Sequence, residues 1–394
     1  MRWFRKIAIW FSVCSTSAMA GMVYGAYETY TQENEMAMSH KLSIEENSTL
    51  AVSLEEQEME EPKLPSPPPP SKERMKTEGC VVDGLLSGYG DEKANIELMK
   101  RLPCYSMHRA LETWLEPPDF KQARSIMEKI DKKDVVWGMF LAEAIHVKKE
   151  YVYKEGDRNF SFYDMCAPDT KNKWGEHTCV PSTEKKEYRR YLAQITEQAM
   201  DIGIQNFMFG QVFLQDNVKD SRIPEIIEIM RQSAKDRGME IVIGAQTNDV
   251  TDPEYLKMFD YIEGGIGLLS NGKIENGPCF SRWWKKEGDW CWALLWHDRY
   301  KLKAHDVWVH LDWSGKIGDD MSIFARMDAN ERAKTLRILS EKFRKENVGF
   351  LLPVMTALPE NNRGCYGEKE RYYNAHNDFG CKDESVVHEI LTRV

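Results

Sequence analysis

The sequence predicts an α/β chain folded as a (β/α)8, TIM-like barrel, with long disulfide-stapled loops on the C-terminal face. From about residue 130 onward, apolar runs alternate with amphipathic helices, and strand-helix repetition with right-handed crossovers builds a parallel sheet, open or closed. No Gly-rich phosphate turn marks an open dinucleotide-binding sheet. The long elaborated segments follow strands rather than precede them, as they do in barrels.

The elements run in order. Val135 to Ala142 reads as a strand, Glu184 to Met200 as a helix with apolar residues at helical spacing, and Ile204 to Phe213 as a second strand. A helix from Ile223 to Arg237, closed by Gly238, precedes the strand Glu240 to Ala245. Asp252-Pro253 opens a helix to Asp260. Tyr261 to Leu268 and Val307 to Trp313 are strands, Ala329 to Glu346 is a helix, and Gly349 to Thr356 is the last clear strand. Two further barrel strands come from the weaker segments Val81 to Leu86 and Trp292 to Trp296.

Upstream the composition changes twice. Residues 1–27 carry a basic start, an apolar run from Ile7 to Tyr24 and a small-x-small site at Ala18-Met-Ala20, the pattern of a signal peptide. The run is also close to the ~20 residues that span a bilayer, so an uncleaved membrane anchor is the alternative. Residues 28–77 hold an acidic run from Glu55 to Glu61 and prolines from Pro65 to Pro70, which reads as a disordered stalk. Residues 78–394 are the barrel domain, ample for one large core. The formal net charge of -10 argues against nucleic acid and anionic lipid as partners, leaving membrane contact only to the anchor.

Cysteine usage fits an extracellular or cell-surface location. Eight of the nine cysteines form close couples: Cys80 with Cys104, Cys166 with Cys179, Cys279 with Cys291, and Cys365 with Cys381; Cys14 lies in the signal. An even count in an exported chain suggests disulfides. No C-x2-C or H-x3-H pair suggests zinc, so no metal and no cofactor are expected. The last three couples fall in loops after predicted strands and would brace one barrel mouth, whereas Cys80 and Cys104 would fasten the segment entering from the stalk.

Strand alternation selects the candidate chemistry, because lumen-facing and helix-facing side chains alternate. In Val307 to Trp313 the aliphatic Val307, Val309 and Leu311 face helices, leaving Trp308, His310 and Asp312 inward. In Tyr261 to Leu268 the inward set is Tyr261, Glu263, Gly265 and Gly267, and glycines beside Glu263 leave room for a ligand. Burial would raise the Glu263 pKa, which suits a general acid. The competing readings are a capping role for Asp312 and a structural ion pair for Glu263. Glu143, His146, Gln211, Gln215, Asp216, Gln246 and Asp249 recur at other strand ends, and such groups suit hydroxyl recognition. Trp283 and Trp284 near Cys279, Trp313, and Tyr366 near Cys365 offer rings that stack on sugar faces, or else form small cores under long loops.

The chain has no G-x-S-x-G elbow, H-E-x-x-H, Walker loop or EF-hand loop. His310-Leu-Asp312 is a fragment of a possible metal site, which keeps a metal-dependent hydrolase or deacetylase as a third reading. Asn47-Ser-Thr49 and Asn159-Phe-Ser161 fit the glycosylation sequon.

The strand-helix alternation, the strand ends at Glu263 and Asp312-Trp313, and the aromatic loops make residues 130–394 resemble the barrel glycoside hydrolase superfamily. The resemblance implies two carboxylates across a glycosidic bond, with Glu263 as general acid, Asp312 as nucleophile or base, and an extracellular poly- or oligosaccharide as substrate. The chain departs from one large clan of these enzymes in lacking an Asn-Glu pair at a strand end. A non-catalytic carbohydrate-binding or surface-interaction protein on the same scaffold is the alternative.

Overall fold

A computed structural model describes residues 67–247, 250, 252–274, 306–312, 319–358, 364–366 and 370–393. The chain divides into two compact units, 1–62 with Asn172–His177, and 63–171 with 178–394. Every strand among the described residues belongs to the second unit. The expectations for residues 1–27, Asp249, Trp283, Trp284, Trp313, the Trp292 to Trp296 strand and the Cys279 and Cys291 couple lie outside the described residues.

Twelve strands occur among the described residues: β1 (Gly79–Val82), β2 (Ser106–Glu112), β3 (Val136–Leu141), β4 (Ile145–His146), β5 (Thr178–Cys179), β6 (Ile204–Phe209), β7 (Val242–Gln246), β8 (Tyr261–Gly265), β9 (Val307–His310), β10 (Gly349–Phe350), β11 (Leu352–Ala357) and β12 (Tyr372–Asn374). Ten form one curled sheet in the order β10-β9-β8-β7-β6-β3-β2-β1-β11-β12, and β4 pairs separately with β5. Every neighbour pair in the large sheet is parallel except β11 with β12. The fold is therefore mixed α/β with a curled, largely parallel sheet. β10 pairs with β9 while β11 pairs with β1, and only Leu351 separates them.

Helices occupy the connections because their sequences carry one apolar stripe and explicit start signals. In the helix Lys186–Asp201, Tyr188, Leu192, Ile195 and Ala199 recur at three- and four-residue spacing and are buried. Asp328 and Glu331 form a capping box at the start of the helix Ala329–Lys345, a device that stabilises a helix end by about 1 kcal/mol.

Alternation along the strands divides the apolar side chains into two clusters. Ile262, Val307, Val309, Leu311, Ile243 and Ala245 belong to the main core with the helices. Val81, Val136, Val242, Tyr261, Trp308 and Leu351 make a separate inner layer with Met75 and Tyr105. Tyr261 and Trp308 stack there with centroids 3.8 Å apart. Gly244 is required beside them, since a Cβ at that position would run into the Tyr261 ring.

Several boundaries differ from expectation. The strand from Ile204 stops at Phe209, because Gln211 takes a left-handed φ of 35° and starts the short helix Val212–Gln215. The strands at Tyr261 and Val307 end at Gly265 and His310, and the helix after Asp252 covers only Pro253–Leu256. β1 covers Gly79–Val82, and Leu85–Ser87 beyond it is a 3-10 turn. β2 has no counterpart in the sequence reading, because a two-residue irregularity between Met107 and Leu111 breaks its alternation. Part of the expected stalk is structured, since the helix Lys72–Thr77 buries Met75 against the inner layer and the Ser71 backbone N–H donates to the Tyr105 hydroxyl.

Three of the expected disulfides are present: Cys80 with Cys104, Cys166 with Cys179, and Cys365 with Cys381. They fit an oxidising, extracellular setting. No helix among the described residues is long and apolar enough to cross a membrane.

Candidate functional site

Above the Tyr261 and Trp308 layer the inner face turns polar. Asn206 on β6 accepts from the Tyr261 hydroxyl at 2.9 Å and meets His108 Nδ1 at 3.0 Å. His108 Nε2 faces Glu263 Oε2, and the second Glu263 oxygen lies 2.9 Å from His310 Nδ1. His310 Nε2 is 3.0 Å from Asp312 Oδ1. Tyr261, Asn206, His108, Glu263, His310 and Asp312 thus form one buried chain of polar contacts.

Electrostatics fixes the proton positions at the upper end of this chain. Burial pushes the Glu263 pKa up, but His108 and His310 outweigh it and hold that carboxyl well below the usual range. Burial also opposes charge on His310, yet Glu263 and Asp312 raise it to about 10, so both ring nitrogens carry protons at neutral pH. The raised pKa expected for Glu263 is therefore not found. An imidazole ring stands between Glu263 and Asp312 and contacts both carboxylates.

A second group gathers at the C-terminal ends of β1, β2 and β3. Arg109 Nε lies 3.0 Å from Asp83 Oδ1, and its Nη2 lies 3.4 Å from Glu112 Oε1. The β2 irregularity turns Arg109 to a left-handed φ of 57°. Such backbone costs about 1–3 kcal/mol and concentrates at functional sites. Burial opposes the guanidinium charge, but Asp83, Glu112, Glu263 and Asp312 together raise its pKa. Glu143, just past β3, accepts from Gln211 Nε2, and the Gln246 Oε1 atom accepts from the Gln211 backbone N–H at 3.4 Å.

Here the carboxylates outnumber the cation. Burial pushes Glu112 up to about 8, with Arg109 opposing and Asp83 assisting. Burial raises Glu143 to about 7 against its hydrogen bonds and Arg109, and Asp312 pushes it further up. Asp312 also touches the inner rim through its backbone: its N–H donates to Asp320, whose carboxylate accepts from Ile266 and Leu268. Burial lifts Asp320 to about 6 against those backbone bonds. Gly265 has no room for a side chain, since a Cβ would come within 2.9 Å of both Asp312 and Asp320.

The structure brings Glu143, Gln211, Gln246, His310, Asp312 and Glu263 to one side of the sheet, but not the other candidates. His146 sits on the β4 and β5 ladder, where its Nδ1 accepts from the Lys148 backbone. Tyr366 packs against Phe379 with centroids 4.9 Å apart. Asp216 accepts from Thr183, Tyr255 and the Arg222 backbone, and Gln215 binds Tyr188 and the Gly210 carbonyl, so both tie loops together. Among the described residues no cluster of three His, Cys, Asp or Glu has the geometry of a metal site. Sequence reasoning missed His108, Arg109 and Glu112 with the strand that carries them. The available signal was His108-Arg109 set among Met107, Ala110 and Leu111, with Glu112 directly after them.

No protein-family model matches the chain, and no curated protein matches it by sequence. Solved structures similar to it include a GH27 β-L-arabinopyranosidase from Geobacillus stearothermophilus, at 12% identity and a TM-score of 0.31, covering 48% of this chain and about half, 53%, of that one. A variant of that enzyme in complex with arabinose aligns at 13% identity and a TM-score of 0.42, covering 81% of this chain and 77% of that chain. The α-galactosidase from Thermus thermophilus, in complex with p-nitrophenyl α-D-galactopyranoside, aligns at 10% identity and a TM-score of 0.44, covering 80% and 62%. These neighbours are glycoside hydrolases.

Proposed function

We propose that this chain is a secreted or surface-tethered glycoside hydrolase-like enzyme acting on an extracellular poly- or oligosaccharide. The single observation that carries the reading is the set of buried strand-end carboxyls in which burial lifts Glu143 to about 7 while Asp312 lies against the His310 imidazolium. A carboxyl held half-protonated near neutrality suits a general acid, and a second carboxylate anchored by an imidazolium suits a nucleophile or water-activating base. Asp312 keeps the role expected for it. The acid role passes from Glu263 to Glu143, because a carboxyl held ionised between two histidines has no proton to give. Glu263 then holds His310 in place, and Gln211 and Gln246 offer amides to sugar hydroxyls.

The supporting scaffold is a closed (β/α)8 barrel. The pairing of β10 with β9 and of β11 with β1 supports closure, since one nearly continuous strand, interrupted at Leu351, borders both ends of the parallel series. These carboxyls then lie at the barrel's C-terminal mouth, where barrel sites are built. Residues 1–27 serve as signal peptide or anchor, and a stalk from residue 28 leads to the barrel.

Burial of these carboxyls favours a second reading, carbohydrate binding without cleavage: Glu143 is 3% and Asp312 7% exposed. The substitution Asp312→Asn separates the two on a panel of neutral and charged glycans. Retained glycan binding with hydrolysis lost supports the enzyme. A parent chain that binds a glycan and cleaves none across the panel rejects it.

A further inference from the structure

Beyond β4 the chain makes a small hairpin that the proposed chemistry does not use. The Phe160 N–H donates to the Tyr151 carbonyl at 2.9 Å and the Tyr153 N–H to the Arg158 carbonyl at 2.6 Å, setting Val152 opposite Asn159 as a bridge pair. Alternation sends Tyr151, Tyr153 and Phe160 to one side, where Tyr153 and Phe160 meet edge to face at 4.8 Å and Tyr191 closes the cluster. The other side carries Val152 and Asn159, both exposed, and Val152 is 62% open to solvent. Asn159 Nδ2 donates to the exposed Glu150 carboxylate at 2.9 Å.

Asn159 begins the triplet Asn159-Phe-Ser161, and the Ser161 side chain caps no helix hydrogen bond. The three disulfides indicate the oxidising compartment in which such acceptors meet their donor. Directly opposed residues of an antiparallel pair have Cβ atoms about 4.5–5.5 Å apart. A sugar on Asn159 therefore falls within reach of Val152, an exposed apolar side chain on that face.

We propose that Asn159 is an N-glycosylation site whose first N-acetylglucosamine covers Val152. The transfer forms one bond, from Asn159 Nδ2 to the anomeric carbon of the sugar. It breaks one, from that carbon to the pyrophosphate of a polyprenyl-linked oligosaccharide donor, and Nδ2 gives up one proton as the pyrophosphate leaves. The remaining Nδ2 proton still serves the bond to Glu150. Phe160, inward and buried, keeps the acceptor facing outward. The site is independent of the proposed hydrolysis.

The full-length chain, expressed in an animal secretory cell line and treated with peptide N-glycosidase in heavy-oxygen water, should show heavy-oxygen aspartate at position 159. The Ser161→Ala substitution, which leaves Asn159 and its Glu150 bond intact, should lose one glycan-sized step in gel mobility, as should Asn159→Gln. Recovery of position 159 chiefly as unmodified asparagine, in exported or retained chain alike, overturns the site. Covering of Val152 is read with a hydrophobic dye: Ser161→Ala should bind more dye than the glycosylated parent, and adding Val152→Ser should remove the excess. Equal dye binding by parent and Ser161→Ala overturns that part.

Discussion

Two clusters at the strand ends of one sheet are both buried and yet hold opposite protonation states. Around β8 and β9, Glu263 lies between two histidines and stays ionised while His310 rises to about 10. Around β1, β2 and β3, a single guanidinium serves Asp83 and Glu112 with Glu143 close by, and the two glutamates rise to about 8 and about 7. Burial penalises charge in both places. The number of opposite charges within contact decides which carboxyl keeps its proton.

The contrast between the clusters breaks most visibly at Glu263. Glu263→Gln strands the protonated His310 beside one remaining carboxylate, and breaking a buried pair costs about 3–5 kcal/mol. The sign follows from the partners. His310 has a raised folded pKa, so its contribution is full below its unfolded value near 6.5 and fades as pH rises through about 10. Glu263 has a depressed folded pKa, so its contribution is present above the ordinary glutamate range and is lost as pH falls through the folded value. Denaturant midpoints should therefore separate the variant from the parent most at pH 5–6.5, a window set by those shifts, and least near pH 10. An equal gap across that range would contradict the pairing.

Arg109→Met should fall at the lower end of the buried-pair range, about 3 kcal/mol, with the opposite pH trend. Without the guanidinium, Glu112 avoids an unpaired charge by staying protonated. That escape is cheap in acid and expensive in alkali, so urea titrations should show a smaller loss at pH 5 than at pH 8. Parallel losses for the two variants would show that the clusters do not differ as described.

The smallest expected effect is in the pH profile. With Glu143 as acid, hydrolysis should fall as pH rises through about 7, by at most roughly tenfold per unit. A rate that climbs from pH 6 to pH 8 on a cleaved glycan would remove Glu143 from that role.

Much of this site was legible in the sequence where the pleat was regular. The Val307 to Asp312 run, with Val307, Val309 and Leu311 in the helix-facing core and Trp308 in the inner layer, follows the two-residue period. The same period places Tyr261 and Glu263 inward and Ile262 outward. It failed in β2, where the irregularity near Arg109 breaks the alternation and hides His108, Arg109 and Glu112.

By itself the sequence determined the alternating elements, the face of each regular strand and three cysteine couples, because these depend on local period and short loop closure. Only the tertiary structure decided what the buried groups carry. Glu263 and His108 are far apart in the chain, and their contact, not the burial that composition suggests, sets the proton on that carboxyl. Coulombic partners act through space, and their count is fixed only when β2 comes to lie on the same inner face as β8 and β9.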